Sequence, residues 1–229
     1  METTDCKTQN TTLVLVRFKV YGNLRFLSHA ETVRVFQRAC RRAGIKMRYS
    51  RGFNPRAKLS LPLPRTVGVE SDDDLLCLKI RHDQLSNANV LSADIKAGLA
   101  NQLPRGCEVL GVDVVNGSRP PQPCLATYVL AVRQSRAAAL RPKLADRIEV
   151  LLTSKSLFVN RHAPTGRAKK VDVKPFLKSI ELDSKGITVE CKISSAGSIR
   201  VDEILKLLEL DVEQLAAPVR RTRVQFRRA

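Results

Sequence analysis

The sequence predicts an α+β protein made of two tandem ferredoxin-like (βαββαβ) units. Three features of the 229 residues point there. Alternating apolar runs recur along the chain, helix-period apolar stripes fall between them, and residues 116–123 ("NGSRPPQP") form a proline-rich break without apolar side chains. The expected divisions are a disordered N-terminus over 1–11, a first unit over 12–115, a linker over 116–123 and a second unit over 124–229.

In the first unit "TLVLVRFKV" alternates, with Val14, Val16, Phe18 and Val20 on one face and Arg17 and Lys19 on the other, as in a half-buried strand. Ser28 followed by Glu31 has capping-box spacing. The helix it opens places Val33, Phe36, Cys40 and Ala43 on one stripe and meets a natural stop at Gly44. Short strands are expected at "IKMRYS" (45–50) and "DLLCLKI" (74–80). Ser92 is expected to cap a second helix carrying Ile95, Leu99 and Leu103, which Pro104 and Gly106 end, and "CEVLGVDVV" closes the unit as a strand. The second unit repeats the order. "LATYVLAVR" reads as a strand, Pro142 suits a first helical position, and Leu144, Ile148, Leu151 and Leu152 form a buried stripe. "SLFVNRH" follows, then the basic loop "APTGRAKK", a hairpin around Asp183 to Gly186, a helix near Val201 to Leu210 and a last strand "APVRRTRVQF".

The net charge of +18 says more about partners than about fold. Both parts share it: before position 120 there are 19 basic against 11 acidic residues, and after it 21 against 11. A polyanion is the expected partner. No apolar run reaches membrane-spanning length and residues 1–10 lack a secretory pattern, so a cytoplasmic protein without a membrane partner is expected. Six scattered cysteines without a C-x-x-C pair read as reduced thiols, and no metal or cofactor is predicted.

Between Thr32 and Val69 there is no acidic residue, yet ten positions are Lys or Arg. Arg34, Arg38, Arg41 and Arg42 fall at i, i+4, i+7 and i+8, one helical face. Stacked arginines without acidic neighbours repel one another by a few tenths of a kcal/mol per adjacent pair, and a face kept only for solubility would interleave glutamates. The pattern points to phosphate binding, with arginine suited to bidentate contacts. The stretch "YSRGFNPRAKLS" extends it through Arg48, Arg51, Arg56 and Lys58. Tyr49, Ser50, Gly52, Phe53, Asn54 and Pro55 are expected to shape the loop, and Phe53 reads equally as part of an anion-binding loop or as a pin of that corner into the core, two readings that are compatible. No Walker spacing is present. Aromatic residues total 4% with no Trp, so backbone contacts are expected to outweigh base stacking.

"LRFLSHAETVRVFQRACRRAGI" and "YSRGFNPRAKLSLPLPRTVGVES" together resemble the radical-SAM-linked family of unknown function, through Phe26, Leu27, Ser28, His29, Arg34, Arg42, Gly44, Tyr49, Ser50, Gly52, Phe53, Asn54, Pro55, Lys58, Pro62, Pro64, Gly68, Val69 and Ser71. "VDVKPFL" and "GSIRVDEIL" match its second half more loosely. Where the family carries His-Pro this chain has Arg56-Ala57, and where it has an acidic-Tyr-Leu-Asp strand this chain has "DLLC", which leaves no acid at Cys77. The resemblance implies a free-standing form without the radical-SAM domain, with RNA as the nucleic acid and a radical-SAM or RNA-processing enzyme as partner. The tandem units also look like the RNA-binding RAMP proteins, a likeness of fold alone.

The expected function is an adaptor that binds structured or ribosomal RNA for an RNA-modifying or RNA-processing enzyme, with an enzymatic role the weaker reading. Two alternatives accompany it. One is a metal-independent ribonuclease centred on His29, with Tyr49 and Lys58 near a ribose 2′-OH. The other is a protein-only docking module for a radical-SAM enzyme. The acids Asp72 to Asp74 read as a solvated turn.

Overall fold

A computed structural model of the chain describes residues 11–81, 88–116, 119–162, 168–184 and 186–227. The expected N-terminal tail at 1–10, Cys6, His82 and the residues 163–167 of the basic loop lie outside them. The elements run β1 (Thr11–Val20), α1 (His29–Arg42), β2 (Leu59–Ser60), β3 (Glu70–Arg81), α2 (Ala88–Gln102), β4 (Cys107–Asn116), β5 (Gln122–Leu130), α3 (Gln134–Thr153), β6 (Phe158–His162), β7 (Ala168–Asp172), β8 (Leu177–Leu182), β9 (Ile187–Lys192), α4 (Val201–Leu207) and β10 (Arg220–Arg227). This is a mixed α/β fold: among the described residues, four α-helices accompany an eight-stranded, mostly antiparallel sheet. Its order is β4-β1-β3-β10-β5-β9-β8, with β2 also on β3, and β6–β7 is a separate ribbon.

Alternation along β1 decides what each face meets. Val14, Val16, Phe18 and Val20 are buried with Leu76, Leu78 and Ile80 of β3, beneath Phe36, Ala39 and Cys40 of α1 and Ile95 and Leu99 of α2. Phe18 and Phe36 meet edge to face at 4.6 Å. A second core joins β5, β8 and β9 to α3 and α4 through Tyr128, Leu130, Ile187, Leu144, Ile148, Leu151 and Ile204. Burial pushes the thiols of Cys40, Cys77, Cys107 and Cys191 up to about 12, so at neutral pH they act as packing groups.

The two cores meet where β3 and β10 pair in parallel, Glu70 beside Arg220 and Ser71 beside Arg221. The acids read as a solvated turn lie in β3, with Asp73 and Asp74 buried. Asp74 accepts hydrogen bonds from Arg221 Nη2 at 2.6 Å and Nε at 3.1 Å, and from the Ser71 hydroxyl. Arg221 also donates to the carbonyls of Leu63 and Pro64. Burial pulls the Arg221 guanidinium down from its ordinary pKa, but the Asp74 carboxylate and the Tyr128 hydroxyl reverse this and hold it above. Arg65, 4.0 Å from the same carboxylate, stays below its ordinary value because burial dominates there. On the other face of β3, Asp73 takes the Nε–H of Arg17 at 2.9 Å.

Two helix boundaries differ from the sequence reading. Ser92 is not a cap: α2 already begins at Ala88, and the Ser92 hydroxyl donates to the Val112 carbonyl of β4. Pro142 is not a first helical residue but sits inside α3, which begins at Gln134. An interior proline loses one backbone donor and crowds the carbonyl four residues earlier, a cost of about 3 kcal/mol that the stripe of Leu144, Ile148 and Leu151 packed on the core offsets.

Candidate nucleic-acid interface

The local sequence builds α1 from its first turn. Ser28 Oγ accepts the amide of Glu31, and the Glu31 carboxylate accepts the Ser28 amide at 2.8 Å and its hydroxyl at 2.7 Å. These bonds, the Ser28 hydroxyl first, hold the Glu31 carboxyl below its usual pKa. At the other end Gly44 takes φ +69, where a side chain would be strained, and ends the helix. The apolar stripe turns Phe36, Ala39 and Cys40 inward, which leaves Arg34, Arg38, Arg41 and Arg42 exposed along the outer face.

A hairpin continues this face. The strand expected at 45–50 does not form: that segment makes only isolated bridges, Met47 with Ile80 and Tyr49 with Ala57, and with β2 it lies as two pieces along one edge of β3. Arg81 donates its amide to Lys46 and Arg48 donates to Lys79, while Lys79 donates to Lys58 and Leu59 pairs with Leu78. Between the pieces, residues 49–57 leave the sheet. Their neck is closed by the Tyr49–Ala57 bridge and the Ser50 amide on the Arg56 carbonyl at 2.8 Å, and the Arg56 amide donates to Ser50 Oγ at 2.9 Å. Tyr49 packs on the first core. Gly52 takes φ +131, which lets the apex turn back. Arg51, Gly52, Phe53, Asn54, Pro55 and Arg56 are all exposed.

Of the two readings of Phe53, the pin into the core fails. Phe53 is 101% exposed, the most open of the large apolar side chains. Because the neck pairs Ser50 with Arg56, the apex points away from the sheet and Phe53 has no core within reach. Tyr49, not Phe53, anchors the loop to the core.

Tyr49 also ties the two parts of the surface together, since its hydroxyl accepts Arg41 Nε–H at 3.4 Å. Arg42 donates to the Gln102 carbonyl at the end of α2. No ion pair among the described residues involves Arg34, Arg38, Arg41, Arg42, Arg51, Arg56 or Lys58. Arg48 is half-buried at the root of the hairpin. His29 is the first, exposed residue of α1, whereas Tyr49 lies beside Arg41 near its last turn. Twelve helical residues separate those positions, about 18 Å at 1.5 Å each. His29, Tyr49 and Lys58 are therefore not gathered into one site.

A mixed α/β sheet protein with an arginine-faced helix and a rigid Gly-Pro hairpin on one edge is the class these features define. The chain belongs to DUF2344, a family described as an uncharacterized protein conserved in bacteria, whose model matches residues 14–206. No curated protein matches it. Among the described residues no helix is long and apolar enough to cross a membrane.

Proposed function

We propose that the chain is a cytoplasmic RNA-binding adaptor, which holds structured or ribosomal RNA for a partner enzyme of RNA modification or processing. A radical-SAM enzyme is the partner class that the sequence resemblance suggests. The observation that carries this reading is the joined face of α1 and the 49–57 hairpin, with seven exposed basic side chains that form no ion pair among the described residues. A protein that keeps so much cationic surface unpartnered accepts self-repulsion, and a phosphate backbone relieves it.

The architecture we propose with it is two ferredoxin-like units. In support, strands β4-β1-β3-β2 and β10-β5-β9-β8 follow the same order in each half of the sheet, with antiparallel neighbours throughout. No observation favours the ribonuclease reading, since His29 at the start of α1 lies far from Tyr49, which sits beside Arg41 near the end of that helix.

The test is crosslinking in native cells with sequencing of the attached RNA, for the wild type and for Arg38→Glu/Arg41→Glu. One dominant RNA region, lost on reversal, is the expected result. Affinity in vitro should fall with log[salt] by about 0.7–0.9 for each phosphate held. Equal recovery of RNA by the reversed variant overturns the reading. No RNA above background, with a stable enzyme complex on purification, replaces it by protein-only docking.

A further inference from the structure

The apex of the hairpin presents a phenylalanine for which the fold has no use. Phe53 is 101% exposed, so its ring contributes nothing to the core. The other two phenylalanines exposed by more than half, Phe26 and Phe158, each carry a cation over the ring, Arg25 at 4.3 Å and Lys170 at 4.4 Å. Among the described residues Phe53 has no such partner. The Ser50–Arg56 hydrogen bonds and the Tyr49–Ala57 bridge close the neck directly beneath it.

We infer that Phe53 is a stacking platform for an unpaired nucleobase, with Arg51 and Arg56 on the adjoining phosphates. The inference rests on the RNA reading and narrows it to RNA with a looped-out or single-stranded nucleotide. Three properties of the apex favour a base over an apolar pocket on a protein. Arg51 and Arg56 stand on either side of the apex, no acid occurs between Thr32 and Val69, and the adjoining helix face is cationic. A ligand that combines a flat apolar face with negative charge within a few ångströms is a nucleotide. Bases within a duplex hide both faces, so the ligand base is unpaired. A neck closed by backbone hydrogen bonds lowers the ordering cost that an open loop would pay on binding. Base stacking thus supplies selectivity for unpaired sites, which the phosphate contacts of α1 cannot supply.

The chain contains no Trp, so Phe53→Trp in the full-length protein places one indole at the apex and nowhere else. The probes are an RNA stem-loop and the same stem-loop with abasic sugars in its loop, equal in length and charge. The intact loop is expected to quench the indole and shield it from acrylamide, and the abasic loop to do neither. Phe53→Ala should weaken binding to the intact loop about 5- to 150-fold while binding to the abasic loop is unchanged, and Phe53→Tyr should restore it. Phe53→Ala with wild-type affinity for the intact loop overturns the stacking inference and leaves the RNA adaptor standing. Wild-type protein that binds neither stem-loop overturns both. Shielding of the indole by polyglutamate but by neither RNA overturns both in favour of an acidic protein.

Discussion

At the seam between β3 and β10 an arginine is sealed from water, whereas along α1 four arginines face solvent. Arg221 is 1% exposed, and Asp74, two backbone carbonyls and Tyr128 satisfy its guanidinium. Among the described residues Arg34 and Arg38 form no ion pair, and Arg41 and Arg42 donate to a phenol and a carbonyl. In the sequence both groups are arginines in basic runs, and both count equally toward +18. The seam shows what a structural arginine requires: a carboxylate and enough acceptors to replace its lost hydration. The α1 face lacks that arrangement, and its arginines remain available to an external anion.

The seam offers the largest effect. Asp74→Ala leaves a buried guanidinium without its counter-charge and is expected to cost about 3–5 kcal/mol in urea unfolding. Asp74→Leu combined with Arg221→Met should recover most of it, because the costly state is the unpaired charge. A loss below about 1 kcal/mol for the single variant would show water reaching the seam, and the contrast with α1 would collapse.

Glu203 of α4 is the intermediate case. It accepts Arg161 Nε at 2.7 Å and Nη2 at 2.9 Å, and caps its helix through the Arg200 amide at 2.8 Å. Glu203→Gln should cost about 1.5–3 kcal/mol at neutral pH. Burial alone raises the Glu203 pKa, but Arg161 and the Arg200 amide outweigh it, so the folded carboxyl lies below its ordinary value. As pH falls the unfolded chain is protonated first. The contribution is therefore complete above about pH 4.3 and lost as pH drops through the lower folded value. In Glu203→Gln this acid limb should flatten, and an unchanged limb would remove Glu203 from the pair. A smaller effect is expected at the start of the basic helix, where Ser28→Ala should cost about 1 kcal/mol and weaken RNA binding only in proportion to lost helicity.

Features set by near neighbours were legible in the sequence. The Ser28–Glu31 box and the Gly44 stop are local contacts, and the alternation of Val14, Val16 and Phe18 needs only a strand and one buried face. Asp74 was misread because its partner lies 147 residues away, and nothing around Ser71 to Asp74 reveals that β10 will arrive there. Phe53 was left open between loop and core for a related reason. The turn chemistry of Gly52, Asn54 and Pro55 gave a tight loop, but its direction depends on Ser50 pairing with Arg56 beside the β3 edge. For the interface, composition identified which arginines stand without acids, and only the structure joined them to the hairpin through Tyr49.

Arg38→Gln is the smallest perturbation and the most exacting one for the contrast. Arg38 has an arginine one turn before it, Arg34, and another one turn after it, Arg42. Each like-charged pair of that spacing costs about 0.2–0.5 kcal/mol, and Gln matches Arg in helix propensity. Arg41 and Arg42 lie in the last turn, where the helix dipole favours cations, so Arg38 is the arginine from which stability gains least. The variant should equal the wild type or exceed it by a few tenths of a kcal/mol in urea unfolding. RNA affinity should fall, and the slope of log affinity against log[salt] should lose about 0.7–0.9. A stability loss above about 1 kcal/mol would put Arg38 with the structural arginines of the seam. An unchanged salt slope would mean that it touches no phosphate, and the interface would then be confined to the hairpin and the last turn of α1.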